Sequence, residues 1–519
     1  MKINFFGSLC TILFCLGNAH GYNILGVFHT GGKSHYIVGS ALMKGLAEAG
    51  HNVTIVAPFK HPNPPSNMRE VVITTYPYID VSKSFLQEEP KSFLEQVHEF
   101  IDVVINMTNL ILTDPAVVDL MHKREKYDVI IQEIFLAEAL LGFGKHFNAP
   151  IIGFSTFGAS KWSTDLNGSP SPPSYVPNVQ LSFSDRMTFV ERLINVVVTA
   201  AEGVYFGYYF HGKQVELYNK YFPDPKPSLE ELKSTHMSLV FLNSHFSLNY
   251  PRPYLPNMIE IGGFHVNKKA NPLPKDLQDF LDSAPNGVIY FSLGSNLKST
   301  DLPNEKRDAL LKVFGKLPVK VMWKWEDDNL PNQPNNVLVR KWFPQDDILA
   351  HPNVVMFITH GGLLSVMESI YHGVPVLGIP IFADQHMNIG RAQKAGYGLT
   401  VTYTNLTEES ISWAINEMLS NDRYANQAKA VSSRFRDQPE DPMSRATYWV
   451  EYVARHGGAK HLVSGGQELN FIQYHNLDVF ALLFAIPILL ILGIRCLLMK
   501  ICCSRNKSKS AQKSSKKTN

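Results

Sequence analysis

The sequence predicts an α/β protein with two doubly wound parallel-sheet domains and a transmembrane helix behind them. Buried strands alternate with amphipathic helices twice along the 519 residues, once from residue 22 and again from residue 286, which is the pattern of βαβ units. The stretch 251–285 is rich in Pro and Asn, so we place the linker at 263–285. An apolar run of 23 residues, Leu477–Met499, is long enough to cross a bilayer.

The first predicted domain, residues 22–262, contains two such alternating units. Apolar residues at helical spacing follow a Gly-rich loop at residues 29–33 and stop at Gly50. The predicted elements are the strands Tyr22–Phe28, Asn52–Ala57, Tyr127–Glu133 and Ala149–Ser155, with helices at Ile37–Ala49 and Phe135–Phe147. The parallel sheet that these units imply has its ligand-binding loops at the carboxyl ends of the strands.

Leu193–Phe210 is an apolar and aromatic stretch of the first domain. Glu191, Arg192 and Glu202 leave it too short for a membrane span. It is expected to be a core helix, and the alternative interpretation is a membrane-surface helix or the wall of an apolar ligand pocket.

The second predicted domain, residues 286–456, is a further alternating series. Its strands are short and apolar, as in a sheet covered on both faces. They are predicted at Val288–Leu293, Val319–Trp325, Asn336–Trp342, Val354–Thr359, Val374–Pro380 and Gly398–Tyr403. A juxtamembrane segment, 457–476, connects this domain to the apolar run.

The two ends of the chain predict its place in the cell. A charged start, a short apolar core and small residues near the cut identify residues 1–21 as a secretory signal peptide. The tail 500–519 is basic and free of acids, so it is expected on the cytosolic side of the span. Outside the two ends, 39 basic residues stand against 45 acidic ones. A body of net charge −6 argues against nucleic-acid binding, which needs a basic surface.

Two glycine-containing loops of the second domain follow neighbouring strands. One contains Ser295 and the other is His360-Gly361-Gly362. Glycines let backbone N–H groups approach an anion, and the helix that starts near Leu363 adds the favourable end of its dipole. We therefore expect a diphosphate to bridge the two loops. A P-loop in the first domain is excluded because Val27 stands where its first glycine is required.

A longer pattern in the second domain resembles the signature of the UDP-glycosyltransferases, and its Leu363-Leu364-Ser365 variant resembles the insect enzymes. The pattern is Trp342-Phe343-Pro344-Gln345, His360-Gly361-Gly362, Ser365, Glu368 and Asp384-Gln385. The resemblance extends to Ser34-His35, the signal peptide and the final span. It implies the GT-B fold, in which two facing Rossmann-like domains bind the acceptor (N-terminal) and the UDP-sugar (C-terminal).

The resemblance also implies a role for each residue of the donor site. Trp342 would stack on uracil and Gln345 would contact the nucleotide. The diphosphate would be held by Ser295, His360, Gly361, Gly362 and Ser365. Glu368 would accept the ribose hydroxyls, and Asp384 and Gln385 would bind the sugar hydroxyls. Leu364 departs from the asparagine of plant and vertebrate relatives, which removes one polar contact to the donor.

The catalytic base implied by the resemblance is His35. An imidazole can take the proton of an acceptor hydroxyl at neutral pH. The position of its carboxylate partner in vertebrate relatives is Glu133 here, and Glu138, one helical turn further on, is the alternative. Either carboxylate could hold the imidazole tautomer, as in Ser-His-Asp/Glu systems.

The predicted reaction is an inverting transfer of glucose or glucuronate from UDP-glucose or UDP-glucuronate to hydroxyl groups of small lipophilic acceptors. The sequence has no Asp-x-Asp pair for a divalent metal. Together with the resemblance, this implies a transfer that needs neither a metal nor another cofactor. The alternatives are a catalytically inactive sugar-nucleotide or glycan-binding protein on the same fold and, disfavoured by the missing dinucleotide fingerprint, a nicotinamide-dependent oxidoreductase. Detoxification is the role that the resemblance suggests, and a homo-oligomer is left open.

The expected location is the endoplasmic reticulum membrane, with a single span and the catalytic body in the lumen. Lys516 and Lys517 resemble a dilysine retrieval signal. Asn52 falls in a predicted buried strand and Asn506 in the cytosolic tail. The expected glycan sites are therefore Asn106, Asn167 and Asn405.

Overall fold

The computed structural model describes residues 21–76, 81–87, 93–123 and 125–515. All of the predicted signal peptide except Gly21 lies outside these residues, as do Lys516 and Lys517. Residues up to Val463 form one compact unit and residues from Ser464 form another. The two predicted sheets both lie in the first unit.

The first sheet has seven parallel strands in the order β3-β2-β1-β4-β5-β6-β7. They are β1 (Asn23–Val27), β2 (Asn52–Ala57), β3 (Met68–Val72), β4 (Val129–Glu133), β5 (Ile151–Ser155), β6 (Met237–Leu242) and β7 (Met258–Glu260). The four predicted strands are confirmed within two residues at each end. The other three were not predicted. β3 and β7 are the edge strands, whereas all six residues of β6 are buried.

The helices of this domain cover both faces of the sheet. They are α1 (Lys33–Glu48), α2 (Val81–Gln87), α3 (Phe93–Thr113), α4 (Pro115–His122), α5 (Gly142–Phe147), α6 (Lys161–Asn167), α7 (Phe189–Tyr205), α8 (His211–Tyr221) and α9 (Leu229–Thr235). The helix predicted from Phe135 begins later, because Leu136 is left-handed (φ 54°) and a 3₁₀ turn at Glu138–Leu141 precedes α5. Phe135 therefore lies in the loop after β4.

The second sheet has six parallel strands in the order β10-β9-β8-β11-β12-β13. They are β8 (Val288–Ser292), β9 (Lys320–Lys324), β10 (Val337–Arg340), β11 (Val354–Thr359), β12 (Val376–Gly378) and β13 (Gly398–Thr400). All six strands were predicted. The observed strands are shorter where the apolar run continues past the last ladder hydrogen bond.

Eight α-helices follow the first sheet up to residue 456, and the first of them, α10, lies where the linker was predicted. They are α10 (Lys275–Asp282), α11 (Asn304–Phe314), α12 (Gln345–Leu349), α13 (Leu363–His372), α14 (Gln385–Lys394), α15 (Glu408–Leu419), α16 (Arg423–Arg436) and α17 (Pro442–His456). Helix α10 lies within the predicted linker but buries Leu277 and Leu281 completely in the core of the second sheet. The linker therefore ends before Lys275.

Helix α17 belongs to the first domain by its packing, although its sequence position follows the second sheet. Ala446, Val450 and Val453 are fully buried in the same core as Ile24 of β1 and Leu42 of α1. A Cβ on Gly45 of α1 would collide with Met443. The apolar face of α17 thus covers the sheet of the other half of the chain.

The C-terminal unit contains a short helix, α18 (Phe471–Tyr474), and the long helix α19 (Leu477–Ser515). Leu477–Ile501 has a mean hydropathy of 2.7 and passes the length and composition test for a membrane span. Phe189–Tyr221 also passes, with a mean hydropathy of 1.2, and the bent pair Val97–Thr113 and Pro115–His122 would pass as one unit.

The stretch Phe189–Tyr221 has two different faces. A π-helical turn, Phe206–Phe210, joins α7 to α8 and makes it longer than the sequence suggested. Asn195, Phe210, Gln214 and Tyr218 are buried in the body. The opposite face is exposed and apolar, and it contains Phe189, Val190, Leu193, Val197, Val204 and Tyr208. The core interpretation therefore holds for one face only.

Candidate active site

His35 lies in the first turn of α1, at the carboxyl end of the first sheet. Its Nδ1 is 2.5 Å from Oε1 of Glu133, the last residue of β4, and 3.1 Å from Oγ1 of Thr156. A carboxylate only accepts hydrogen bonds, so Nδ1 donates and the lone pair of the neutral ring lies on Nε2. Glu133 therefore fixes the tautomer that leaves Nε2 able to take a proton.

Glu133 is completely buried and held from several directions. Its Oε2 accepts from the backbone N (3.2 Å) and Oγ1 (2.7 Å) of Thr30, and Nδ1 of His29 is 3.5 Å away. Burial alone would raise the pKa of Glu133, but His35, His29 and Thr30 together lower it to about 2. The side chain is thus an ionised carboxylate at neutral pH.

The alternative partner, Glu138, lies in a separate cluster. Its carboxylate accepts from Nδ1 of His211 at 2.6 Å and pairs with Nζ of Lys233 at 3.2 Å. The structure brings Glu133, and not Glu138, to His35.

An aromatic side chain contacts His35 on the side of the first domain and belongs to a larger group of rings. The ring of Phe135 packs edge-on to the imidazole at 4.9 Å. Phe135 in turn contacts Phe100, Phe157 and Trp162, and Trp162 stacks on Phe206 of the π turn. We call these five residues the aromatic cluster. The sequence analysis did not assign it, because its members come from four separate segments.

His360 lies between two glycines at the carboxyl end of β11. A Cβ on Gly294 would approach its ring to 2.4 Å, and one on Gly362 to 2.6 Å. Gly294 is also left-handed, with φ +83°. Burial, and then the charge of Lys324, lower the pKa of His360 to about 4. A neutral imidazole in this position can donate a hydrogen bond to an anion.

Gln345, Ser365 and Glu368 form one hydrogen-bonded group. Nε2 of Gln345 donates to Oγ of Ser365 at 3.0 Å and to Oε2 of Glu368 at 2.5 Å. Burial, and then the charge of Asp346, raise the pKa of Glu368 to about 8. The structure therefore brings these three signature residues together, although Gln345 and Glu368 are 23 positions apart in the sequence.

Asp384 and Gln385 stand at the start of α14 and behave differently. Asp384 accepts from Nδ2 of Asn388 at 2.8 Å, and the same amide donates to the carbonyl of Gly361 at 3.1 Å. Gln385 turns its Oε1 to the backbone N–H groups of residues 381 and 382, at 2.9 and 3.1 Å. Its carbonyl oxygen thus shapes the loop before α14, a role that the sequence analysis did not assign to it.

The loop that contains Ser295 connects the donor residues to the start of α1. Asn296 accepts from the backbone N of Lys33 at 3.2 Å and donates to Oγ of Ser34 at 3.3 Å. Nζ of Lys33 lies 4.3 Å from the centroid of the Trp342 ring, which is 52% exposed. The Ser295 loop and Trp342 of the second domain therefore meet the start of α1 in one cleft, next to His35.

Comparison with known proteins identifies the family. The model of the family "UDP-glucoronosyl and UDP-glucosyl transferase" matches residues 29–517. The chain belongs to this family. A UDP-glycosyltransferase is a hexosyltransferase that takes its sugar from a UDP-sugar, and the match gives no support to a nicotinamide-dependent oxidoreductase.

Several curated relatives are similar along most of their length. UDP-glucosyltransferase 2 of Dactylopius coccus is 36% identical over 473 residues, which cover 90% of this chain and 91% of the relative. Human UDP-glucuronosyltransferase 1A8 is 31% identical over 468 residues, with 87% of each chain covered.

Solved structures with the same architecture support the fold. The calicheamicin glycosyltransferase CalG4 has a TM-score of 0.58 at 18% identity, with 84% of this chain and 99% of that chain covered. An anthocyanidin 3-O-glucosyltransferase in complex with UDP has a TM-score of 0.54 at 16% identity, with 85% and 100% covered. The predicted GT-B fold is confirmed.

One predicted glycan site of the UDP-glycosyltransferase is wrong. Asn167 is 1% exposed, and its Nδ2, the atom that would carry the sugar, donates to Oδ1 of Asn257. Asn106 and Asn405 are exposed. Asn52, which the sequence analysis set aside as buried, is exposed at the start of β2. The start of a strand can be open to solvent even where the rest of the strand is covered.

Glu368 gives the UDP-glycosyltransferase a specific dependence on pH. Its pKa is about 8 in the folded chain against an ordinary 4.5, so its stabilising contribution is complete below pH 4.5 and is lost as the pH rises through 8. Glu368→Gln has no such loss. We expect the variant to have a Tm roughly 1–3 °C above that of the wild type at pH 9 and no excess at pH 5. Thermal unfolding at both pH values checks this, with exposed Glu409→Gln as the control; a constant difference would contradict it.

Proposed function

We propose that this UDP-glycosyltransferase transfers glucose or glucuronate to hydroxyl groups of small lipophilic acceptors, with inversion and with His35 as general base. The observation that carries the proposal is the His35–Glu133 pair, which lies between the aromatic cluster and the donor loops. An acceptor ring in the aromatic cluster would present its hydroxyl to Nε2 of His35. The complete donor signature argues against an inactive sugar-nucleotide-binding protein.

The proposed reaction is a single displacement. Nε2 of His35 takes the acceptor proton while the acceptor oxygen attacks the anomeric carbon on the face opposite UDP. The bond from that carbon to the diphosphate oxygen breaks, and its electron pair leaves with UDP. Glu133 stabilises the imidazolium that forms. The transition state has oxocarbenium character, as in inverting hydrolysis.

The leaving diphosphate would be stabilised by neutral donors. His360 and the backbone N–H of Gly362 stand at the start of α13, where the helix dipole favours an anion. The backbone N–H of Gly361, expected to contact the diphosphate as well, instead donates to Oγ1 of Thr359 at 3.2 Å. Among residues 21–76, 81–87, 93–123 and 125–515, no group of three or more His, Cys, Asp or Glu side chains is placed to hold a metal ion. Independence from metals and other cofactors remains a prediction, and transfer in the presence of a chelator tests it.

The proposed function is tested by product analysis. Membranes containing the full-length protein are incubated with a panel of phenols and either UDP-glucose or UDP-glucuronate. Mass spectrometry identifies the sugar transferred, and NMR of the product gives its anomeric configuration. We expect a β-glycoside from the α-linked donor. An α-glycoside would contradict inversion, and bound UDP without transfer to any phenol would favour the inactive alternative.

The donor residues should differ in what their removal affects. His360→Ala removes a hydrogen bond to the charged diphosphate, so UDP affinity should fall roughly ten- to a hundredfold. Asp384→Ala should leave affinity for UDP within about twofold and lower sugar transfer, because Asp384 is proposed to contact only the sugar. Calorimetric titration with UDP and transfer assays separate the two effects. Equal loss of UDP affinity in both variants would contradict the assigned roles.

Gln385→Ala should also impair sugar transfer more than UDP affinity. Because Gln385 also holds the backbone of residues 381 and 382, its variant is expected to have a lower Tm than the wild type, which thermal unfolding measures.

The proposed location is the endoplasmic reticulum membrane, with the body in the lumen. The apolar helix Leu477–Ile501 supports a bilayer as partner, and so does the exposed apolar face of α7. A tethered enzyme meets acceptors that partition into the bilayer at a high local concentration. A homo-oligomer stays a prediction.

Orientation predicts latency in sealed microsomes. Because UDP-sugars are made in the cytosol, activity should rise when detergent opens the vesicles. Protease outside intact vesicles should remove only the tail after Met499, and digestion of the whole body would contradict the luminal orientation.

Replacement of Lys516 and Lys517 by Ser should move the protein to later compartments with unchanged chemistry; an unchanged location would remove the retrieval interpretation.

A further inference from the structure

Two half-buried arginines of the body have no carboxylate within ion-pair distance among the described residues. Arg252, between β6 and β7, donates from Nη1 to the carbonyl of Ala159 at 2.8 Å and from Nη2 to Oγ of Ser171 at 3.0 Å. Arg391, on α14, donates from Nη1 to Oδ1 of Asn249 at 2.7 Å. The Nε of each guanidinium is buried and has no hydrogen-bond partner. Both guanidiniums therefore donate hydrogen bonds to neutral groups only, although the charge of Asp384 also acts on Arg391.

This arrangement is electrostatically incomplete. A buried charge is normally paired, because removal from water costs several kcal/mol that neutral hydrogen bonds do not fully offset. Tyrosine rings lie near both guanidiniums. Cζ of Arg252 is 5.7 Å from the centroid of the Tyr254 ring, and Cζ of Arg391 is 5.2 Å from the centroid of the Tyr250 ring. Burial lowers the pKa of both arginines. An anion at this position would form the ion pair that neither arginine has among the described residues.

The two arginines line the same cavity. Its volume is about 30 Å³, enough for a water molecule or the end of a carboxylate. Apart from the arginines, its walls are mostly apolar or aromatic, and they include Phe157, Tyr175, Val176, Tyr250 and Met387. A site of this kind, apolar with a few convergent polar groups, is typical of small-molecule recognition.

The cavity adjoins the catalytic cleft through Phe157. This residue lines the cavity and also belongs to the aromatic cluster, and it follows Thr156, whose hydroxyl is 3.1 Å from His35. A molecule that reaches from the cavity to His35 therefore passes along aromatic side chains. It would carry an anionic group at one end and the reacting hydroxyl at the other.

We propose that Arg252 and Arg391 form a subsite for the carboxylate of an acidic acceptor, which makes aromatic hydroxy acids a preferred acceptor class. The proposal rests on the proposed function, in which His35 activates the acceptor hydroxyl. An acceptor is the source that the geometry favours, because all lining residues except Met387 and Arg391 come from the acceptor-side domain. Two guanidiniums can give a carboxylate charge-assisted hydrogen bonds that a neutral group of the same shape does not receive.

The test compares 4-hydroxybenzoate with 4-hydroxybenzamide, which differ in charge but hardly in shape. With full-length protein in membranes, we expect the wild type to prefer the acid. In Arg391→Met and Arg252→Met, kcat/KM for the acid should fall roughly ten- to a hundredfold, while the value for the amide stays within about twofold. Exposed Arg423→Met is the matched control. Arg391→Lys, which keeps the charge, should retain part of the preference.

Three outcomes would overturn the proposal: no preference for the acid in the wild type, equal losses for acid and amide, or a loss seen only with UDP-glucuronate as donor, which would assign the arginines to the donor sugar.

A binding measurement separates this proposal from the proposed function. Benzoate, which cannot accept a sugar, should raise the Tm of the wild type but not of Arg391→Met, and benzamide should affect both equally. This result is expected even if neither hydroxyl compound is glycosylated.

Discussion

Replacing His35 by Ala should lower turnover by roughly 10²–10⁴-fold, because the acceptor hydroxyl then loses the only group proposed to take its proton. Affinity for UDP should persist, since the residues proposed to bind the donor, from Trp342 to Gln385, lie in the other domain. Transfer assays and calorimetric titration with UDP measure the two quantities. His122→Ala, at the exposed end of α4, is the control. Near-normal turnover in His35→Ala would remove this residue from the mechanism.

Glu133→Gln should be nearly as damaging as the loss of His35. The glutamine keeps the size of the side chain but removes the charge that fixes the Nδ1–H tautomer and stabilises the imidazolium, a change worth roughly 10²–10⁴-fold in turnover in comparable systems. If Glu133 acts through His35, the double variant should be no slower than His35→Ala alone. Additive losses would show that Glu133 acts independently of the imidazole.

The same variant has a second expected effect, on acid stability. The pKa of Glu133 is about 2 in the folded chain against an ordinary 4.5. Its stabilising contribution is therefore present above pH 4.5 and is lost as the pH falls toward 2. The Tm difference between wild type and Glu133→Gln should shrink between pH 5 and pH 3. Thermal unfolding across that interval checks this, and a growing difference would contradict it.

The sequence predicted the second sheet more completely than the first. Every strand from β8 to β13 is an apolar run bounded by turn residues, so periodicity was sufficient. In the first sheet, β3 lies at one edge and has two charged residues, Arg69 and Glu70, among its five, and β7 at the other edge has only three residues. Strand β6 had a clear apolar run and could have been found. Helix α17 could not be assigned from periodicity, because an amphipathic pattern shows that a helix is covered but not which sheet covers it.

The candidate site was predictable where the residue types are rare and unpredictable where they depend on packing. His35, His360 and Glu368 belong to a spaced pattern, and the structure places them around one cleft. The choice between Glu133 and Glu138 required the structure, because both follow β4 closely. The burial of Asn167 and the convergence of Arg252 with Arg391 depend on contacts between distant segments. No local pattern encodes such contacts.

The packing of α17 affects how chimeric enzymes should be built. Residues 442–456 complete the core around β1 and α1. Arg445 donates to the carbonyl of Glu260, and the carboxylate of Glu451 pairs with the ring of His51. A hybrid that joins the first half of this chain to the second half of a relative at the linker would cover its own sheet with a foreign helix. Exchanges of acceptor specificity should therefore use two junctions, one before Lys275 and one before Pro442, so that α17 is inherited together with the half that it stabilises.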